Sequence, residues 1–306
     1  MRITKFFVSL FILAGLSFSA QGQAYPSAEY RADIPTLSET IGHDHGEAIT
    51  SSDDIRTYFD ALAAADPARM QVRSYGESWQ GRDLVYAIIS SAENMARLDT
   101  LQARLATLGA GERLSDADLA DTPAVVWLAY GVHGDEVTPS DSAVFMAYHL
   151  LAAQNNELAD TILDNTLVII DPNQNPDGRE RFRHGFLSGL GLEPRGDRYA
   201  VEHDQPWPRG RFNHYVFDLN RDWFAMTQPE TRGKVKALLD WHPVVFVDSH
   251  EMGGDQTYFF PPSADPFNPN ITAGQRAKQS QLGLNMARYF DRFGAAYFTR
   301  EIFDAF

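Results

Sequence analysis

Two short apolar runs, each running out into a histidine, constrain this chain more than any other feature. Val125-Val126-Trp127-Leu128 shows no polar alternation, so it reads as a strand buried on both faces, ended by Tyr130-Gly131. The chain leaves it through His133-Gly134-Asp135-Glu136. A second run, Val244-Val245-Phe246-Val247-Asp248, leaves through Ser249-His250. In open α/β sheets, ligands and reactive groups collect beyond the carboxyl ends of the strands. If the two strands are close in one sheet, His133, Glu136 and His250 converge. Two imidazoles and one carboxylate leave a coordination position for water, the donor pattern of a catalytic zinc. A His-x-x-Glu pair alone is weak, because chance produces it often; the competing reading is two loop residues and a Glu that caps the next helix.

The surrounding pattern supplies a sheet for these strands. Ile55, Tyr58, Phe59 and Leu62 recur at helical spacing over 53–65, with Ser51 or Ser52 as cap. Val72–Tyr75 and Leu84–Ile89 read as a hairpin, Asn94–Leu108 and Pro139–Gln154 as helices, and Leu167–Asp171 as a further buried strand. Pro229–Trp241 reads as a helix, and so does Thr272–Phe298. Arg179–Phe212 is rich in Gly, Pro and Arg without a period, and is expected to be a long irregular segment. Strands alternating with helices predict an α/β fold: three α/β/α layers around a mixed, mainly parallel sheet. Tyr25–Ser52 is expected to be an irregular entry segment, in which His43 and His45 beside Gly46 are read as solvated loop residues.

Composition narrows the chemistry. The 306 residues contain no cysteine, so thiol nucleophiles, disulfides and thiolate ligands are excluded, and any metal rests on His, Asp or Glu. A formal charge of −15 argues against nucleic acid or an anionic membrane as partner. Arg2 and Lys5 precede the apolar run Phe6–Leu16 and the small residues around Ala20-Gln21-Gly22. That is the three-part pattern of a secretory signal peptide over 1–22, too short to span a bilayer, and it predicts a secreted or periplasmic protein with no membrane attachment once the signal is removed. The remainder divides into the entry segment, 23–52, and one catalytic domain, 53–306.

Between the two strand exits lies Phe217-Asp218-Leu219-Asn220-Arg221-Asp222-Trp223. An Arg close to a zinc centre can hold a carboxylate by a two-pronged, charge-assisted contact. Taken together, His133-x-x-Glu136, Asn175-Pro176-Asp177-Gly178, Asp218-x-Asn220-Arg221 and His250 resemble the zinc metallocarboxypeptidases related to carboxypeptidase A in order and approximate spacing. Gly76-Glu77-Ser78 and Gly81-Arg82 also look like the start of that catalytic domain. The resemblance implies that His133, Glu136 and His250 bind Zn2+, and that Asn220 and Arg221 hold the free C-terminal carboxylate of a peptide or protein substrate. It implies that Asp218 orients a zinc-bound imidazole. It also implies an oxyanion-stabilising Arg upstream of the Asn-Arg pair, for which Arg209 and Arg211 are both candidates, Arg211 being preferred. His214 and Tyr215 lie nearby in the sequence, where a contact with substrate and a folding or loop role are equally open.

The chain departs from the family at the general base, a Glu that the family carries on a strand well downstream of the second zinc-binding His. Glu301 follows a helix and is out of context, and Glu251 adjoins His250, so that its side chain is expected to point away. The expectation is therefore a domain lacking its last strands, with impaired hydrolysis and the apolar edge Val244–Val247 unpaired. Three other functions compete with C-terminal hydrolysis. One is a zinc-dependent deacylase or amidase on amino-acid or cell-wall peptide substrates, and another is a non-catalytic zinc- or peptide-binding module. The third is a non-haem iron oxygenase, whose usual spacing and all-β barrel match poorly. A serine hydrolase fits less well still, since Gly-x-Ser-x-Gly is absent.

Overall fold

The computed structural model describes residues 28–253 and 256–300; the expected signal peptide and Glu301 lie outside them. The entry segment is more ordered than expected, with β1 (Glu29–Tyr30) and α1 (Leu37–Ile41). Thr36 and Glu39 cap α1 reciprocally, a four-residue signal easily lost among loop-forming residues. Ser51 caps α2 (Ser52–Ala65), which buries Ile55, Tyr58, Phe59 and Leu62 as their spacing predicts. β2 (Met70–Glu77) and β3 (Asp83–Ile89) form the expected antiparallel hairpin. The helix expected over 94–108 is two, α3 (Ala92–Ala96) and α4 (Leu98–Gly109), broken at Arg97, whose N–H turns back to the Asn94 and Met95 carbonyls.

After α5 (Asp116–Ala120) come β4 (Ala124–Tyr130) and α6 (Val137–Ala152). β5 (Ala153–Gln154) pairs with β1, and α7 (Glu157–Asn165) leads into β6 (Thr166–Asp171). Pro176–Gly189 is helical (α8), which corrects the expected irregular segment over its first part. Its sequence has no apolar stripe to read. The helix is set instead by the Asn175 cap, by Pro176 in the first turn, and by Arg179, buried on Asp141 and the Thr50 and Val137 carbonyls. α9 (Pro229–Trp241) and β7 (Val245–Ser249) fall where expected. The final segment holds β8 (Tyr258–Phe259), α10 (Ala273–Phe293) and β9 (Tyr297–Phe298). α10 stops short of the expected Phe298 because Gly294 takes a left-handed conformation, φ 67°, freeing β9 to pair with β8.

The central sheet has the order β2-β3-β6-β4-β7. β3 is antiparallel to β2 and β6, while β4 is parallel to β6 and β7. The sheet is mixed as expected, with β2, β6, β4 and β7 running one way and β3 alone against them. Alternate residues of each strand serve opposite layers. Ala87, Ile89, Val168 and Ile170 pack with α2 and α6; Tyr86, Ile88, Leu167 and Ile169 pack with α4 and α9. On β4, Val125, Trp127 and Ala129 are buried towards α4 and α9, but Val126 and Leu128 are only partly covered, which corrects the expectation of equal burial on both faces. The carboxyl ends of β4, β6 and β7 therefore open side by side at one end of the sheet. No helix among the described residues is long and apolar enough to cross a membrane.

Candidate metal centre

β4 and β7 run parallel with Tyr130 opposite Ser249, so the chain leaves both strands at one level. Gly131 turns the first exit with φ 67°, a conformation that disfavours side chains, and delivers His133 into the interior at 2% exposure. Gly134 then passes so close to α8 that a Cβ would meet the Arg179 backbone nitrogen at 2.1 Å. Only glycine lets the His133 loop seat against that helix. The His133 and His250 rings lie 5.0 Å apart. Glu136 stands between them, with Oε1 2.7 Å from His133 Nδ1 and Oε2 3.0 Å from His250 Nδ1. One ligand atom from each of the three residues lies within 4.8 Å of the others.

Glu136 occupies the cap position of α6 but makes no capping bond; its carboxylate accepts instead from the Glu251 N–H, at 3.1 Å. The Glu251 carboxylate supplies a bond to the helix end, accepting from the Thr138 N–H at 3.0 Å.

A ring of polar groups backs the three donors. Asp218 Oδ1 is 3.2 Å from His133 Nε2, while its Oδ2 accepts from Arg211 Nε and Nη2 at 3.0 and 2.9 Å. Arg211 Nη1 comes within 3.3 Å of His133 Nδ1. Arg209 is exposed, and its carbonyl accepts from Arg181. Asn220 Nδ2 is 3.3 Å from His250 Nε2, and the exposed Arg221 donates to the Asn220 carbonyl. His214 and Tyr215 pack on one another, and Tyr215 on Trp79.

Charge follows from this geometry. Burial disfavours the imidazolium of His250, but its bonds with Asp248 and Glu136 outweigh burial and push it up to about 9. Burial likewise opposes charge on His133, yet Asp218 and Glu136 raise it. Burial would raise Glu136, but the two imidazoles hold it down at about 2. Asp218, similarly opposed by burial, is held far below the usual carboxylate range by His133 and Arg211. Two imidazole nitrogens and one ionised carboxylate, with outer carboxylates on the far ring nitrogens, make a donor set that fits a divalent zinc ion.

The other motif words prove to be scaffolding. Asn175 donates to the Val132 and Arg211 carbonyls, tying the His133 and Arg211 loops together, while its own carbonyl caps α8 at Gly178. Asp177 accepts from Ser78 Oγ, the Gln80 N–H and Arg82, which docks the hairpin turn beside the site. The sequence reading missed a buried polar group beneath the centre: Asp171, Gln174, Lys234 and Asp248. Burial raises Asp171, against the opposing pull of Lys234, and burial lowers Lys234. Asp248, at a strand end two residues before a histidine, carried a usable hint; a lone lysine in a helix carried none.

The chain matches the family of zinc carboxypeptidases, peptidase M14, over residues 55–266, and it belongs to that family. It is 30% identical to mouse (Mus musculus) carboxypeptidase D over 189 residues, covering 59% of this chain and 12% of that protein. In fold it resembles carboxypeptidase A of Helicoverpa armigera, with TM-score 0.54 and 16% identity, covering 83% of this chain and 58% of the other. A metallo-carboxypeptidase from Burkholderia cenocepacia aligns with TM-score 0.50 and 17% identity, over 80% of this chain and 53% of the other. The chain thus spans little more than half of these structural relatives.

Proposed function

We propose that the chain is an exported zinc-dependent peptidase domain that acts at the free carboxyl terminus of peptides. The convergence of His133, Glu136 and His250 within 4.8 Å carries this reading. These three residues would hold a zinc ion, which when bound would supply a Lewis acid and lower the pKa of a water towards ~7. Asp218 keeps the His133 ring in place from behind. Arg211, fixed on Asp218 and lying against His133, is placed to stabilise negative charge developing on a scissile carbonyl oxygen. Arg221 and Asn220, beside His250, receive the terminal carboxylate; Arg221 is exposed and has donors left over.

Proton transfer favours a second reading, a zinc- and peptide-binding module. Among the described residues, the carboxylates beside the donors are already engaged: Asp218 by Arg211, Asp248 by Gln174, Glu251 by Thr138 and Asp135 by Gln205. A positioned base contributes ~10²–10⁴-fold, so a centre served by the described residues alone should bind peptide with hydrolysis weaker by that order than in an enzyme that has one.

One set of variants tests both parts. His133→Ala and His250→Ala should lose stoichiometric zinc by elemental analysis, and Arg221→Ala should retain it. Wild-type protein should prefer free-carboxylate peptides over their amides in calorimetric binding. Arg221→Ala should erase that preference, a loss of about 1.5–3 kcal/mol for a charge-assisted contact. Zinc retained by both His variants would sink the ligand assignment. Equal binding of amidated peptide would point to an amidase or deacylase.

A further inference from the structure

The polar group beneath the centre is organised by one lysine. Lys234, on α9, is 1% exposed, and its Nζ donates to Gln174 Oε1 at 2.6 Å. Gln174 Nε2 in turn donates to Asp248 Oδ1 at 3.0 Å, and Asp248 Oδ2 is 3.3 Å from His250 Nε2. The direction of this chain is set by chemistry. An ammonium only donates and a carboxylate only accepts, so the Gln174 amide has one orientation that satisfies both neighbours. Gln174 is itself 1% exposed and held by its own N–H on the Tyr130 carbonyl, at the end of β4.

The sheet explains why a cation belongs there. Asp171 closes β6 and Asp248 is the next-to-last residue of β7, on either side of β4, and both pair with Ala129, which faces the α9 layer. Two carboxylates thus point at one level into the layer that α9 covers. Lys234 reaches their field from that helix, while Tyr75 donates to Asp171. The same ammonium lies 4.0 Å from the centre of the Trp223 ring, two residues beyond Arg221. One buried charge therefore touches the loop after β6 and the Arg221 loop, and reaches the end of β7 through Gln174.

Resting on the assignment of His250 as a metal ligand, we propose that Lys234 is a positioning residue: through Gln174 it fixes Asp248 and hence the plane and donor direction of the His250 imidazole. A lysine that only neutralised buried acids would need no amide between itself and Asp248.

The test uses Lys234→Met and Gln174→Met in the full chain, with thermal melting, competition titration of zinc, and the visible spectrum of the cobalt(II)-loaded protein. Both variants should bind zinc about 10–100-fold more weakly and show a shifted cobalt spectrum, as loss of an outer partner of a ligand does. Gln174→Met leaves the ammonium in place, so it decides the matter even if Lys234→Met fails to fold. A folded Gln174→Met protein with wild-type cobalt spectrum and zinc affinity would overturn the proposal. Wild-type protein that binds no metal would instead overturn the metal-centre assignment on which it rests.

Discussion

His250 shows how far a single residue was readable. Its place at the end of an apolar run marked it as a donor, and Glu136 and His133 were marked by their three-residue spacing. Its protonation was not readable, because Asp248 and Glu136 reach it only through the fold. With its pKa up near 9, metal-free His250 is charged at pH 7, while a ligand imidazole must be neutral. Zinc uptake at pH 7 should therefore expel about one proton from His250, with more from His133, and His250's share should vanish above pH 9. Calorimetry in buffers of differing ionisation enthalpy measures the release. Apparent affinity should climb from pH 6 to 9 and then level off; flat affinity across that range would mean that the ring is not held charged. In the metal-free protein the same group stabilises the fold fully below its unfolded value of about 6.5 and loses that contribution as pH rises through 9.

At the scale of elements, helices with an apolar stripe were legible and those without were not. α2 and α9 declared themselves through spacing, caps and Pro229; α8 and the break at Arg97 did not, since the buried Arg179 sets the one and backbone carbonyls the other. α9 carries Lys234, so its seating matters to the centre. Trp241 at its end is fully buried, donates Nε1 to the Tyr86 hydroxyl at 3.0 Å, and packs in the layer with Trp127. Trp241→Ala should cost about 3–5 kcal/mol in denaturant unfolding, the usual loss for a large core aromatic. A cost below about 1 kcal/mol would mean that the cavity collapses and that α9 is anchored elsewhere.

For the molecule as a whole, two quantities compete at the β7 edge. Among the described residues β7 pairs on one side only, with β4, and Val244 and Phe246 are exposed beside it. Unpaired strand edges of this kind template association. The formal charge of −15 opposes it, and salt weakens that opposition, the screening length being about 10 Å at 0.1 M. Sedimentation of the 306-residue chain should show self-association rising with ionic strength, and Val244→Lys should suppress it. Association that falls with salt would place the contact on charged surface instead.

Sequence alone picked out His133, Glu136 and His250, which the fold brings together, and the layer architecture that carries them. Strand exits, helical spacing and motif order are local patterns, and local patterns survive in one dimension. Tertiary structure decided the rest: that Gly134 admits His133 against α8, that Arg211 rather than Arg209 reaches the imidazole, and that Lys234 lies beneath Asp248. Those facts depend on strand register and on which helix covers which face, and no neighbouring residue in the chain encodes either.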